Sequence, residues 1–85
     1  MSAVARLADL ISHGGKIIEA STTTYADGRG IARVGDRVAC NIHGVNPIVT
    51  GSNIVRVDER KEARVGDRTA CGASIVSGSP VVFDD

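Results

Sequence analysis

The chain has no tryptophan, one tyrosine and one phenylalanine, so a core built on large aromatic side chains is excluded. Its apolar content is mostly valine, isoleucine and alanine, and its ten glycines raise the entropic cost of ordering it. It also lacks net charge: Lys and Arg number ten, as do Asp and Glu. With no basic run and no aromatic stacking platform, nucleic-acid binding is not expected. No apolar run approaches the roughly 18 residues of a membrane span. Met1-Ser2-Ala3 leads on with no charged segment followed by an apolar one, so no signal peptide is read and a cytoplasmic origin is expected. Only two cysteines are present, and in that compartment they read as ligands or thiols before they read as a disulfide. Eighty-five residues allow one domain with a thin core, a size that often needs a metal or a partner.

What the chain does have is repetition. Ala32-Arg33-Val34-Gly35-Asp36-Arg37-Val38-Ala39-Cys40 and Ala63-Arg64-Val65-Gly66-Asp67-Arg68-Thr69-Ala70-Cys71 are nearly identical. A worn copy, Ala5-Arg6-Leu7-Ala8-Asp9-Leu10-Ile11-Ser12-His13, comes first. Past the ligand-type residue, Ile17-Ile18, Ile48-Val49 and Ile75-Val76 align, as do Ser21, Ser52 and Ser79. The middle copy carries an insertion of four residues after Cys40, and His43 lies in it. Repeats this short cannot each bury a core, so they must close on one another. The three repeats run roughly over 3–31, 32–62 and 63–85 within the single domain 1–85.

Local signals are those of short strands. Asp27-Gly28 marks a hairpin between 23–26 and 31–34, and Asp58-Glu59-Arg60 lies between 55–57 and 63–65. No window sustains a helical apolar period, although residues 3–11 resemble a helix by propensity alone. Asp85 aligns with Asp27, so the third repeat stops where its hairpin would turn. Val4–Leu7 resembles the missing arm. The expected fold is therefore all-β: a small pseudo-threefold domain of hairpins, closed by pairing Val4–Leu7 with Val81–Phe83.

Three copies about one axis bring His13, Cys40 and Cys71 together, and the C-x-x-H pair adds His43. Two imidazoles and two thiolates suit tetrahedral zinc. Four protein ligands leave no open position, so such a site is structural, contributing on the order of 10 kcal/mol to folding. The competing readings are a Cys40–Cys71 disulfide, which leaves both histidines without a role, and inert thiols beside surface histidines. Iron also remains compatible with the ligand set.

Asp9, Asp36 and Asp67 recur four positions before each ligand. They either cap turns or orient ligand histidines. Arg6, Arg33 and Arg64 recur too, as contacts to a partner's base or as solvated or intramolecular pairs. Catalytic residues are not apparent. With both histidines assigned to metal, Ser12 and Ser74 lack a general base. Glu19, Glu59 and Glu62 fall outside the repeat pattern, and no phosphate-cradling motif is present.

The Ala-Arg-Val-Gly-Asp stretches, the Ser12-His13-Gly14-Gly15, Cys40-Asn41-Ile42-His43-Gly44 and Cys71-Gly72-Ala73 segments, and Ser77-Gly78-Ser79-Pro80-Val81-Val82-Phe83 resemble the PAAR-repeat family over the whole chain. That resemblance implies a conical β-domain with zinc near its point, held here by His13, Cys40, His43 and Cys71. It implies a structural, non-enzymatic tip that caps a trimeric VgrG-like spike of a type VI secretion system. One chain would bind per trimer, pierce a membrane and carry effectors. The chain would begin in the cytoplasm and leave at the spike tip. A phage or other contractile-tail spike is the alternative setting. A small enzyme or toxin and a cytoplasmic zinc module are the remoter rivals. Gly30-Ile31 and Lys61-Glu62 replace the Pro-Ala of the family pattern, and Arg37 and Arg68 stand where proline often follows Gly-Asp.

Overall fold

Gly, Asp and Ser punctuate the chain so closely that no strand exceeds four residues. The computed structural model describes residues 2–84. Its strands are β1 (Ser2–Ala3), β2 (Leu10–Ile11), β3 (Gly15–Ile17), β4 (Tyr25–Ala26), β5 (Arg29–Gly30), β6 (Arg37–Cys40), β7 (Gly44–Pro47), β8 (Arg56–Val57), β9 (Arg60–Lys61) and β10 (Phe83–Asp84). There is no helix among the described residues, and the all-β fold read from the repeats is observed.

The hairpins fall into two sets. One antiparallel sheet runs β2-β3-β6-β7. Isolated bridges Ile48↔Thr69, Arg68↔Ser74 and Ile11↔Ile75 carry the pairing through a third, shorter hairpin and back to β2. The circuit closes, so this set presents no long free edge. The other set consists of three two-stranded ribbons, β4-β5, β8-β9 and β1-β10. The dimensions, 29 × 23 × 22 Å, have two near-equal members, as a pseudo-threefold body about its long axis requires.

The two sets join at the axis. Ala5 N–H donates to Ala63 O, Ala63 N–H to Ala32 O and Ala32 N–H to Ala5 O, a closed ring of three bonds at 2.9–3.0 Å. All three alanines are fully buried. On one side of this ring stand core side chains in three cross-strand pairs, Ile17 with Val38, Ile48 with Thr69 and Ile75 with Ile11. On the other side lies a smaller cluster of Val4, Ala26, Ile31 and Val57.

Each alanine leads into a turn whose Asp N–H donates to the Arg carbonyl three residues before it: Arg6 to Asp9, Arg33 to Asp36 and Arg64 to Asp67. The third turn residue takes positive φ, 94° at Gly35, 96° at Gly66 and 73° at Ala8. In every copy the Asp carboxylate accepts from the Arg backbone N–H, at 2.7–2.9 Å, and from its guanidinium. So the recurring Asp does cap a turn, and its partner is the recurring Arg of the same turn. Arg6 is also buried, and the Asp9 carboxylate raises its pKa further above the ordinary value.

The aligned serines have a structural role as well. Ser21, Ser52 and Ser79 are buried, and each hydroxyl oxygen accepts two backbone N–H groups from the residues two and three ahead. Ser79 donates onward to Asp27, and Ser21 to Asp58. Arg6 and Arg33 reach the same two carboxylates, so the serine of one repeat and the arginine of another meet at a hairpin turn. The hydroxyls of Ser21 and Thr23, then Arg33, hold Asp58 below the usual carboxylate range. Asp85, the third member of that series, lies outside the described residues.

Close approach explains three glycines together. A Cβ on Gly30 would fall 3.3 Å from Ala20 Cβ, on Gly51 3.1 Å from Lys61 Cβ, and on Gly78 3.1 Å from Ala3 Cβ. Each repeat therefore places glycine on one side of this contact and a side chain on the other.

Two expectations need correction. The N-terminal segment pairs with the end of the chain in an earlier register: Ser2↔Asp84 and Ala3↔Phe83, with Val4 N–H donating to Val82 O. Val4 and Arg6 then bridge to Arg64 and Ile31, so residues 4–7 serve the other two repeats. Also, the second hairpin arms begin at Arg29 and Arg60, directly after two-residue turns, rather than at 31 and 63. Glu19 and Glu59, set outside the repeat pattern, have repeat equivalents. Glu19 occupies the position of Thr50 and Ser77, and each of these side chains accepts the N–H of Arg37, Arg68 or Leu10. Glu59 occupies the position of Gly28.

Two exposed side chains sit in the left-handed region where aligned residues are glycine: Ala8 at φ 73° and Glu59 at φ 67°. Ala8→Gly and Glu59→Gly should each stabilise the fold by about 0.5–1 kcal/mol, the left-handed strain relieved less the unfolded-state entropy gained. Thermal denaturation should show the double variant melting several degrees higher, and an unchanged or lower midpoint would contradict this account. Deleting residues 2–7 should do the opposite, because it removes β1, one member of the alanine ring and the buried Arg6. Loss of cooperative unfolding is the expected result, whereas a truncated chain as stable as the parent would refute the closure.

Candidate metal centre

Residues after the first strand of each hairpin in the closed sheet sit at its turn. His13 lies in the β2-β3 turn, Cys40 ends β6, His43 closes the following turn, and Cys71 lies in the turn between Thr69 and Ala73. A glycine at positive φ follows three of the four: Gly14 at 73°, Gly44 at 78° and Gly72 at 87°. Such turns reverse the chain within a few residues. The inserted residues of the middle repeat make β6-β7 the longest hairpin, and that extra length carries His43 back over Cys40.

The four donor atoms converge. The nearest ligand atoms of His13, Cys40, His43 and Cys71 all lie within 4.8 Å of one another. Cys40 Sγ is 3.7 Å from Nδ1 of both His13 and His43, and Cys71 Sγ is 3.7 Å from His13 Nδ1. A tetrahedral ion with ordinary Zn–S and Zn–N bonds spaces S and N by about 3.6 Å. The two imidazoles stand 5.3 Å apart between centroids and tilted at 45°, so they do not stack on each other. Cys40 is buried, His13 and Cys71 are half-buried and His43 is exposed. The cysteines are free thiols. This group can hold a metal ion.

Residues around the donors tune them. Thr69 Oγ1 lies 3.1 Å from Cys71 Sγ. That hydrogen bond, ahead of smaller effects from the Ala73 backbone, His13 and Cys40, outweighs desolvation and lowers the Cys71 thiol to about 6. A thiolate is what a metal ligand must be. Cys71 N–H also donates to Asn46 Oδ1, at 3.2 Å, which ties the third repeat's turn to β7. Neither Thr69 nor Asn46 was identified from the sequence. Thr69 had a signal: it is the polar member of a column otherwise filled by Ile11 and Val38.

Asp9, Asp36 and Asp67 are occupied by Arg6, Arg33 and Arg64 and do not orient the histidines. All four sequence-derived ligand positions come together in one cluster.

No curated protein matches the chain. A family model does, that of the PAAR motif, over residues 7–77 of 85. Its span begins inside the first Arg-Asp turn and takes in all four donor residues. The chain belongs to the PAAR-motif family.

Proposed function

We propose that this chain is the tip of a trimeric spike, seated on a VgrG-like trimer of a type VI secretion system and driven with it through a target envelope. The observation that carries the reading is a threefold-like base made by a single chain. Three ribbons, β4-β5, β8-β9 and β1-β10, surround one axis at the end opposite the metal cluster. Three similar faces suit three identical chains, one on each. Exposed apolar side chains recur at equivalent places of this set: Tyr25 and Phe83 share one repeat position, and Ile54 and Val81, about three-quarters exposed, share another. Apolar surface left in water on so small a body marks an interaction face.

The metal in this reading is zinc, with His13, Cys40, His43 and Cys71 as its four ligands. Two thiolates and two imidazoles fill a tetrahedron, so no coordination position is left for a substrate. When bound, zinc would crosslink all three repeats at the point of the cone. The role is mechanical and non-enzymatic. The chain would be made in the cytoplasm and would leave the cell at the head of the spike, with any effector it carries.

Elemental analysis of the purified chain should give about one zinc per molecule. Cys71→Ser should lower the zinc content and reduce the melting temperature by more than about 10 °C. A metal-free chain that remains fully folded would remove the structural role. For the docking, mass measurement of the assembled complex should give one copy of this chain per three spike chains. Equal stoichiometry, or no association with the spike trimer of the same cell, would overturn the assignment.

A further inference from the structure

The base of the cone is not the same in its three sectors. Val4, Ile31 and Glu62 occupy one repeat position, and each backbone N–H donates to the matching carbonyl of Val82, Thr24 or Val55. Ala26, Val57 and Asp84 occupy a second position, each the last residue of the first strand of its ribbon. Four of these six residues form the buried apolar cluster below the alanine ring. Acids replace one apolar member in each of two ribbons: Glu62 follows β9, on the ribbon of Val57, and Asp84 ends β10, on the ribbon of Val4. Glu62 is only 2% exposed, yet its Oε1 has no hydrogen-bond partner among the described residues. A buried polar atom left unmatched costs about 1–3 kcal/mol. Val or Ile would fill the same place without that cost, as they do in the other two sectors.

The charge balance around this carboxyl is unfavourable. Burial first, and then the neighbouring Asp84, push Glu62 up to about 7. Arg64 is the cation whose field reaches it, and that guanidinium donates to Asp67. A cation arriving from outside would satisfy the open oxygen and relieve the repulsion between the two acids. The surroundings decide its type. A divalent ion needs six or more oxygen ligands, and two carboxyl groups beside Val4, Ile31 and Val57 are a poor cage. An apolar wall with a carboxylate end suits a methylene stem with a charged head.

We propose that Glu62 and Asp84 form a receptor for a lysine or arginine side chain of the protein that docks on the base. The proposal rests on the docking reading given above. It makes docking depend on one charged contact at the axis besides the apolar rim, and it gives the two acid positions of the base a role their apolar equivalents lack.

The small cation alone tests the site. Carboxyl carbons of the metal-loaded full chain should shift saturably at Glu62 and Asp84 when methylguanidinium chloride is added. Glu62→Gln should weaken this response at least tenfold. A drift equal to that in sodium chloride, or a response unaltered by Glu62→Gln, overturns the site. With the spike trimer of the same cell, Glu62→Gln and Glu62→Val should each weaken binding at least tenfold. Glu62→Val should melt no lower than the parent, which separates lost contact from lost fold. A trimer that binds both variants as it binds the parent refutes the inference and leaves docking intact. A trimer that binds none of them refutes docking, and the methylguanidinium titration then decides the site by itself.

Discussion

Three peptide bonds at the axis hold the molecule in register. Ala5, Ala32 and Ala63 each give one hydrogen bond and take one within the ring they form. Buried backbone groups must be paired, and no ordinary strand ladder reaches the point where three strands converge. The ring solves that problem only if the side chains there are small, and all three alanines are fully buried. Every other repeated feature is placed relative to it. The residue after each alanine is the arginine of a turn, and the residue before it is Val4, Ile31 or Glu62 on the base. Eight positions on from each alanine stands a metal-type ligand.

Polar groups carry much of what an aromatic core would supply elsewhere. The Arg-Asp clamps are buried or half-buried and bidentate, so each fixes a side chain and a backbone N–H at once. A buried pair is a modest source of net stability, since desolvation offsets attraction, but losing one partner is severe. These clamps therefore act chiefly to specify the turn. The serines that accept two N–H groups each do the same for the ribbons. Such bonds constrain geometry in a chain whose core above the ring rests on five large apolar side chains, Ile11, Ile17, Val38, Ile48 and Ile75.

The sequence disclosed the parts of this structure that repeat. Val-Gly-Asp at fixed spacing revealed the turns, and the ligand eight residues after each alanine revealed the metal cluster. His43 was legible for the contrary reason, as a ligand inside an insertion. The closure was legible in kind but misplaced by two residues, because Val4–Leu7 matches the arm pattern while Ser2 and Ala3 do the pairing. Strand pairing is counted from the turn that joins two strands, and no turn joins β1 to β10. The Arg-Asp contacts were half-legible: a recurring pair separated by three residues suggests a contact, but its direction depends on backbone angles that sequence does not print. Glu62 was set aside as lying outside the pattern. It is the acidic member of an apolar column, which becomes visible only when Val4, Ile31 and Glu62 are seen to share one position about the axis.

A single chain that imitates a threefold axis can do what an exact trimer cannot. Exact symmetry supplies ligands in threes, so a tetrahedral ion on the axis would lack a distinct fourth donor. Here His13, Cys40 and Cys71 take the symmetric positions and one insertion adds His43. Exact symmetry would also repeat Glu62 three times, gathering three buried carboxyls whose mutual repulsion nothing at the base offsets. A single acid at each of the two positions keeps the apolar floor and still places charge beside the axis. The departures from the repeat thus fall at the two ends of the axis. The copies agree most closely in the middle, where they meet one another.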